Sequence, residues 1–356
     1  MATKIGIIGT GGIAEFHLRG YKRAKDVELV ACCDVMEDRT RAFAEKNGFA
    51  RHYTDYRKMM ATEDLDGISV CTPNYAHKEP TILALKRNVS VLCEKPIAMN
   101  AREARAMVEA SQKSKGFLTI GQHFRFDPKN QALKKMIDAG DLGSIYYGRS
   151  HSTRRVGIPG WGAFHIKEKS AGGPMIDIGV HALDLTLWLM GFPGIDSVTG
   201  QTYTKFGNTK EQYHTWGKLD PKTYTVEDFA CGMARLSNGA TLLIESAWAT
   251  HTEKEVFLQV VLGDKGGVSA YPHKAYTVRN GNHIDIEFSQ LPEVEPHEEE
   301  VLWFVDCIRG EKEIVVHAEE TYQTMQLIDA VYKSSETGKE VTIKDHMPIP
   351  GRTKGK

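Results

Sequence analysis

Asp177, His181 and Asp184 stand at i, i+4 and i+7 in the run Gly172-Gly173-Pro174-Met175-Ile176-Asp177-Ile178-Gly179-Val180-His181-Ala182-Leu183-Asp184, so on a helix they share one face. A carboxylate beside an imidazole orients the ring and supports its protonated form, which an acid/base catalyst needs. Alone, such a pair is more often a local ion pair or a satisfied buried histidine. Two further segments carry reactive groups: Cys71-Thr72-Pro73-Asn74 with His77, and Glu94-Lys95-Pro96, each following a short apolar run. In open α/β sheets, polar residues at the carboxyl ends of strands line the ligand crevice.

Gly9-Thr10-Gly11-Gly12-Ile13-Ala14 fits G-x-G-x-x-[GA] between the strand-like Ile5–Ile8 and a helical pattern. Glycines there permit a tight turn and close backbone approach, and the helix start offers unpaired N–H groups to a pyrophosphate. Six residues would be weak evidence without context. The next strand ends in Asp34, 20 positions beyond Ala14, where a carboxylate accepts the adenosine ribose hydroxyls. That carboxylate repels a 2′-phosphate and favours NAD over NADP, while Arg39, five residues on, keeps NADP use open.

The elements needed to position these groups are legible. Up to about Gly121, apolar β-branched runs (KIGIIG, VELVACCD, GISVCTP, VSVLCEKP, FLTIG) alternate with helical patterns, which reads as a doubly wound parallel sheet. Gly48 and Gly116 sit where left-handed helix caps fall, and Asn100 where an N-cap does. Beyond Gly121 come a helix over Lys129–Ala139, a strand over Ser144–Thr153, a long helix over Met175–Met190 closed by Gly191, and strands joined at Ser237-Asn238-Gly239, Asp264-Lys265-Gly266-Gly267 and Asn280-Gly281. Such turns favour hairpins and a largely antiparallel sheet. The expected organisation is a dinucleotide-binding Rossmann domain over residues 1–123 and an α+β substrate-binding and oligomerisation domain over 124–356. The role of the polar stretch 205–222 is not legible.

With 45 basic against 46 acidic residues, no global charge directs the chain to nucleic acid or an anionic membrane, so a small molecule is the expected partner. Six cysteines without a CxxC pair suit a reducing cytoplasm, and no leader or membrane-spanning run is recognised. The basic tail from Pro350 reads as a solvated terminus. No set of four ligands marks a metal site around Asp177 and His181, and no nucleophile elbow or P-loop is present. On the second sheet, Trp248, Phe257 and Val261 suggest an apolar face left uncovered.

Together the dinucleotide fingerprint, the C-T-P-N-x-x-H segment, Glu94-Lys95-Pro96, the Gly172-to-His181 run and the ending Gly338 to Val341 resemble the glucose-fructose oxidoreductase, inositol dehydrogenase and rhizopine-catabolism (Gfo/Idh/MocA) oxidoreductase family along nearly the whole chain. The resemblance implies that Gly9, Gly11, Gly12, Ile13, Asp34, Thr72, Asn74, His77, Glu94 and Lys95 meet NAD, and that Lys95, Asp177 and His181 react. Gln122 and Arg125 match the segment that enters the family's pocket, Gln122 towards cofactor and Arg125 towards substrate. Two departures stand out: Trp161-Gly162 replaces a Trp-Arg pair, leaving Trp161 as a cofactor or substrate contact, and Pro174 replaces a third glycine at a first helical turn, where proline fits.

The implied reaction is hydride transfer between nicotinamide and a secondary alcohol or ketone of a sugar, glycoside or cyclitol, with Arg154 among the donors to the ligand. Either His181 or Lys95 can serve as the principal proton-transfer group. A homodimer or homotetramer is implied as well. The rivals are a glycoside-processing enzyme using tightly held NAD for transient C3 oxidation, and a non-catalytic NAD-binding regulator.

Overall fold

The computed structural model describes residues 2–211 and 213–350, so most of the basic tail lies outside the described residues. Two compact units form: the chain up to Phe126 together with Val294–Tyr322, and Asp127–Glu293 together with the chain from Gln323 onward.

The first unit alternates β1 (Thr3–Ile8), α1 (Gly12–Arg23), β2 (Val27–Cys33), α2 (Glu37–Asn47), β3 (Arg51–Tyr53), α3 (Tyr56–Thr62), β4 (Gly67–Val70), α4 (Lys78–Lys86), β5 (Ser90–Cys93), α5 (Ala101–Gln112) and β6 (Leu118–Ile120). Its strands pair in parallel in the order β3-β2-β1-β4-β5-β6. All four residues of β4 and of β5 are buried, as strands covered on both faces must be, which is why they read as unbroken apolar runs. The order reverses between β1 and β4, and Gly9–Gly12, Asp34, Thr72–Asn74 and Glu94–Lys95 all follow carboxyl ends of strands on that edge.

Local signals hold where backbone chemistry requires them. Asn100 caps α5 by accepting from Glu103 N at 3.0 Å, and Gly48 ends α2 at φ 79°. Gly116 does not form the expected left-handed cap: α5 closes on Lys113, and a Cβ at Gly116 would lie 2.8 Å from the Val89 carbonyl carbon, so close packing is what demands glycine there. The three-residue edge strand β3 and the short α3 were not expected.

The second unit comprises α6 (Pro128–Asp138), β7 (Ile145–Thr153), β8 (Ile158–Pro159), α7 (Lys167–Ser170), a π-helical turn (Met175–Gly179), α8 (Val180–Met190), β9 (Ile195–Tyr203), β10 (Thr215–Trp216), β11 (Phe229–Leu236), β12 (Thr241–Ala247), β13 (Val256–Gly263), β14 (Gly266–Ala270), β15 (His273–Arg279) and β16 (Asn282–Glu287). After α9 (Pro296–Ile308), which belongs to the first unit, come α10 (Ala318–Thr337) and β17 (Val341–Thr342). Nine strands make one sheet, β16-β15-β14-β13-β7-β12-β11-β9-β17, antiparallel throughout except for the parallel pair β7 and β12. Asn280 and Gly281 both take positive φ, 53° and 77°, the geometry of a two-residue hairpin turn.

Two expectations are corrected. Residues 294–322, expected in the second domain, pack on the first: Val301, Phe304 and Val305 of α9 join Ile5, Leu18 and Leu92 in one buried cluster. Trp248 and Val261, expected on an open sheet face, are fully buried. Phe257 and Val261 stand opposite Ser152 and Gly148 on the face where α8 packs, and the alternation puts Leu258, Val260 and Leu262 on the other face with Arg149, His151, Leu243 and Glu245.

Among the described residues, no helix is long and apolar enough to cross a membrane, and no three His, Cys, Asp or Glu side chains converge as a metal centre requires.

Candidate active site

At the start of α1, Gly11 is the N-cap and supplies no side-chain cap, which leaves first-turn N–H groups for a ligand. Gly9 has φ 94°, and a Cβ there would fall 2.5 Å from Cys71 O. Gly11 and Gly12, by contrast, face open space within 4 Å. Such a cradle, bare of side chains at a helix N-terminus, fits a pyrophosphate.

Beside it, Asp34 accepts from Thr10 N at 2.9 Å, Thr10 Oγ1 at 3.3 Å, Met36 N at 3.1 Å and the Arg39 guanidinium at 2.6 Å. Burial pushes this carboxyl up, but the Thr10 N–H, Arg39 and the Met36 N–H outweigh it and hold it below the usual range. Val35 and Met36 project next to it with 86% and 57% exposure, an apolar surface at the position expected for an adenosine.

Between the loops after β4 and β5, His77 is fully buried, its ring nitrogens 2.8 Å from Pro96 O and Thr72 O. Burial pushes its pKa down against those carbonyls. This geometry makes His77, expected to meet the cofactor, a brace between two loops. Thr72 Oγ1 is buried with no hydrogen-bond partner among the described residues, and so stays available to a ligand. Asn74 opens the following 3-10 turn and is half-buried.

Glu94 ends a buried polar network of this unit. His17 Nε2 lies 2.9 Å from Glu94 Oε1, His17 Nδ1 2.8 Å from Ser69 Oγ, and Tyr21 Oη 2.6 Å from the same Ser69 Oγ. Glu94 Oε2 also accepts from Lys95 N at 3.2 Å. Burial opposes ionisation of Glu94, yet the His17 hydrogen bond, with the His17, Lys95 and His297 charges, brings its pKa down to about 2. Lys95 itself is half-buried.

Gln122 is buried beside His123, whose ring stacks on His297 at 3.7 Å and whose pKa falls to about 3 through burial and the His297 charge. Arg125, expected to face substrate, is fully buried, ion-paired with Glu320 and bonded to Val315 O within the first unit.

In the second unit, Glu227 organises the chain ahead of the catalytic candidates. Its buried carboxylate accepts from Gly173 N at 3.0 Å, Met175 N at 3.3 Å and Tyr332 Oη at 2.8 Å. A Cβ at Gly173 would lie 2.0 Å from Glu227 O, and one at Gly172 2.0 Å from Tyr332 Oη, so these glycines are needed for close approach. The π-turn that follows alters the expected α-helical spacing of Asp177 and His181. Even so, from Gly172 to Met190 only Asp177, Ile178 and His181 are more than marginally exposed, whereas Asp184 is buried. The indole of the fully buried Trp248 donates to Asp177 Oδ2 at 2.9 Å.

Nearby in the same unit, Trp248 and Ile158 share an apolar cluster, and β8, which carries Ile158, pairs with β10. There the Arg154 guanidinium lies 4.7 Å over the ring of Trp216, and Trp161, 53% exposed, is parallel to Trp216 with centroids 6.3 Å apart. The stretch 205–222 that resisted reading is tied down by Asp228, which accepts from the backbone of Lys205, Phe206 and Gly207.

Sequence reasoning missed His17, Ser69, Tyr21, Trp216 and Glu227, and read Trp248 only as part of an open sheet face. His17 and Tyr21 fall at i and i+4 on α1, a detectable spacing, but their partner Ser69 lies inside an ordinary apolar strand.

A nucleotide cradle on a parallel sheet, with a half-buried Asp177 and His181 on the second unit, fits a dinucleotide-dependent oxidoreductase. Residues 3–122 match the oxidoreductase family model of the NAD-binding Rossmann fold, and residues 134–343 match the C-terminal alpha/beta domain of the same family. The chain belongs to the glucose-fructose oxidoreductase, inositol dehydrogenase and rhizopine-catabolism family and is a dehydrogenase acting on CH–OH groups. It is 36% identical over 342 residues to D-glucoside 3-dehydrogenase of Escherichia coli (strain K12), covering 96% of this chain and 97% of that one. It is 31% identical over 188 residues to myo-inositol 2-dehydrogenase of Thermotoga maritima, covering 53% and 55%. A solved levoglucosan dehydrogenase in complex with NADH and levoglucosan shares the fold, with TM-score 0.83, 19% identity, and coverage of 97% and 100%.

Proposed function

We propose that the protein oxidises a secondary alcohol of a sugar, glycoside or cyclitol, or reduces the corresponding ketone, using Lys95, Asp177 and His181. The observation that carries this reading is the emergence of Asp177 and His181, with Ile178 between them, from a helix whose remaining residues are buried, with Asp177 fixed by Trp248. His181 takes the hydroxyl proton, Asp177 supports the resulting imidazolium, and the Lys95 ammonium stabilises developing charge on oxygen. When bound, NAD supplies the hydride acceptor.

NAD is the preferred cofactor because Asp34 is held ionised. Gly9, Gly11, Gly12, Ile13, Thr72, Asn74 and Glu94 are its remaining first-unit contacts, and Trp161 and Arg154 are assigned to the sugar. The E. coli relative's name makes C3 of a glucoside the first position to examine. Assembly into a dimer or tetramer uses the sheet face bearing Leu243, Leu258, Val260 and Leu262, and six free cysteines suit the cytoplasm.

The test is NADH formation across glucosides, free sugars and inositols, together with analysis of nucleotide that co-purifies. Net NADH formation from one of these classes supports the proposal. Retained NAD with glycoside cleavage and no net NADH moves the assignment to transient C3 oxidation, and no turnover of any class rejects it.

A further inference from the structure

His17 is 1% exposed in the first turns of α1, and no step above uses it. It bonds to Ser69 on one side and Glu94 on the other, while Tyr21, one turn further along α1, bonds to the same Ser69. One arrangement of protons satisfies every member. Tyr21 donates to Ser69, Ser69 donates to His17 Nδ1, and His17 Nε2–H donates to the Glu94 carboxylate. Burial pushes the Tyr21 phenol well up, so it remains a donor.

The chain of bonds stops at Tyr21, itself 1% exposed, so it has no outlet for protons and serves to orient. Glu94 is confined from three sides: His17 Nε2 at 2.9 Å, Lys95 N at 3.2 Å, and Gly121, where even a Cβ would approach Oε1 to 3.1 Å. A buried histidine–carboxylate hydrogen bond is a poor device for stability alone, because desolvation of the carboxylate offsets its attraction. Here it fixes a carboxylate at the edge of the sheet where the nucleotide cradle lies.

We propose that His17 is a positioning residue for the cofactor, holding the Glu94 carboxylate as an oriented acceptor for a ribose hydroxyl of NAD; this rests on the cofactor reading above. Other titratable groups facing Glu94 are Lys95 on its own segment, His77 after β4, His123 after β6, His297 on α9, and the thiols Cys71 and Cys93, which burial keeps protonated.

The experiment titrates NAD and, separately, ADP into the intact protein and into His17→Leu, His17→Gln and Ser69→Ala, by calorimetry from pH 5 to 9. ADP probes the cradle and Asp34 without a second ribose. In His17→Leu, NAD should weaken about tenfold, the scale of one hydrogen bond to a charged group, with ADP unchanged within about twofold. Its NAD affinity should also fall on the acid side, because burial then raises the Glu94 pKa without opposition from His17; the unaltered protein should stay flatter over the same range, Lys95 and His297 being common to both. His17→Gln, which keeps a donor, should recover most of the loss, and Ser69→Ala should lose less than His17→Leu. Equal weakening of NAD and ADP would assign His17 a merely structural role, and unchanged NAD affinity in His17→Leu would show that Glu94 needs no positioning. If the unaltered protein bound ADP but not NAD, the ribose contact would fall while the cradle stood; if it bound neither, the cofactor reading would fall with it.

Discussion

Trp248 donates its indole N–H to Asp177 Oδ2 at 2.9 Å from a fully buried position immediately after β12. The carboxylate is thereby held by a side chain that cannot rotate away without opening the core cluster of Ile158, Tyr224 and Val226. Trp248→Phe keeps most of the packing and removes the donor. Turnover should fall about tenfold, as expected for one charge-assisted bond, with NAD affinity unchanged. Steady-state kinetics and a nucleotide titration read the two effects, and an unaltered kcat would dismiss Trp248 as a positioning group.

His181→Ala should cost about 100- to 10,000-fold in turnover, the range for loss of a general acid/base, while NAD binds as before. Asp177→Asn should give a smaller defect and a displaced pH profile. Single-turnover hydride transfer is the appropriate measurement, and near-normal rates in both His181→Ala and Lys95→Ala would reject the reacting set.

Asp34→Ser should weaken NAD use and narrow the preference over NADP. Arg39 now lies against the Asp34 carboxylate at 2.6 Å, and removal of that partner leaves its guanidinium for a 2′-phosphate. Specificity constants for both nucleotides decide the matter, and a preference for NADP in the unaltered protein would overturn the role given to Asp34.

Glu94 sets a pH dependence of stability. Its pKa is about 2 in the fold against an ordinary value of 4.5, so its contribution is fully present above pH 4.5 and is lost as pH falls towards 2. Urea midpoints should therefore be insensitive to this group near neutrality and decline in acid, with a shallower decline in Glu94→Gln. Parallel acid profiles for the two proteins would contradict the depressed pKa.

Gly20→Ala sets two effects in opposition. Helix propensity favours alanine by about 1 kcal/mol, but its Cβ would lie 2.5 Å from Val301 Cβ, and overpacking typically costs about 1–3 kcal/mol. Packing should win, lowering Tm, and a rise in Tm would mean that α9 moves aside freely.

The parallel sheet was readable because β4 and β5 are short apolar runs flanked by glycine and polar residues, and Asp34 was readable because it ends a strand at a fixed distance from Gly9. What escaped depends on partners remote in sequence. Nothing local to Arg125 announces Glu320, and the open face of the second sheet was misassigned because Phe257 and Leu258 are both apolar, so alternation alone does not say which points towards α8.

Because Val301, Phe304 and Val305 complete the core around Ile5 and Leu18, the nucleotide-binding unit is not a self-sufficient N-terminal module. During synthesis its first 126 residues leave the ribosome long before the helix that closes them, and the entire intervening unit is made while that apolar surface waits. Chaperone demand should therefore peak late in translation. A tag or fusion partner inserted near residue 294 would interfere with folding at the opposite end of the chain.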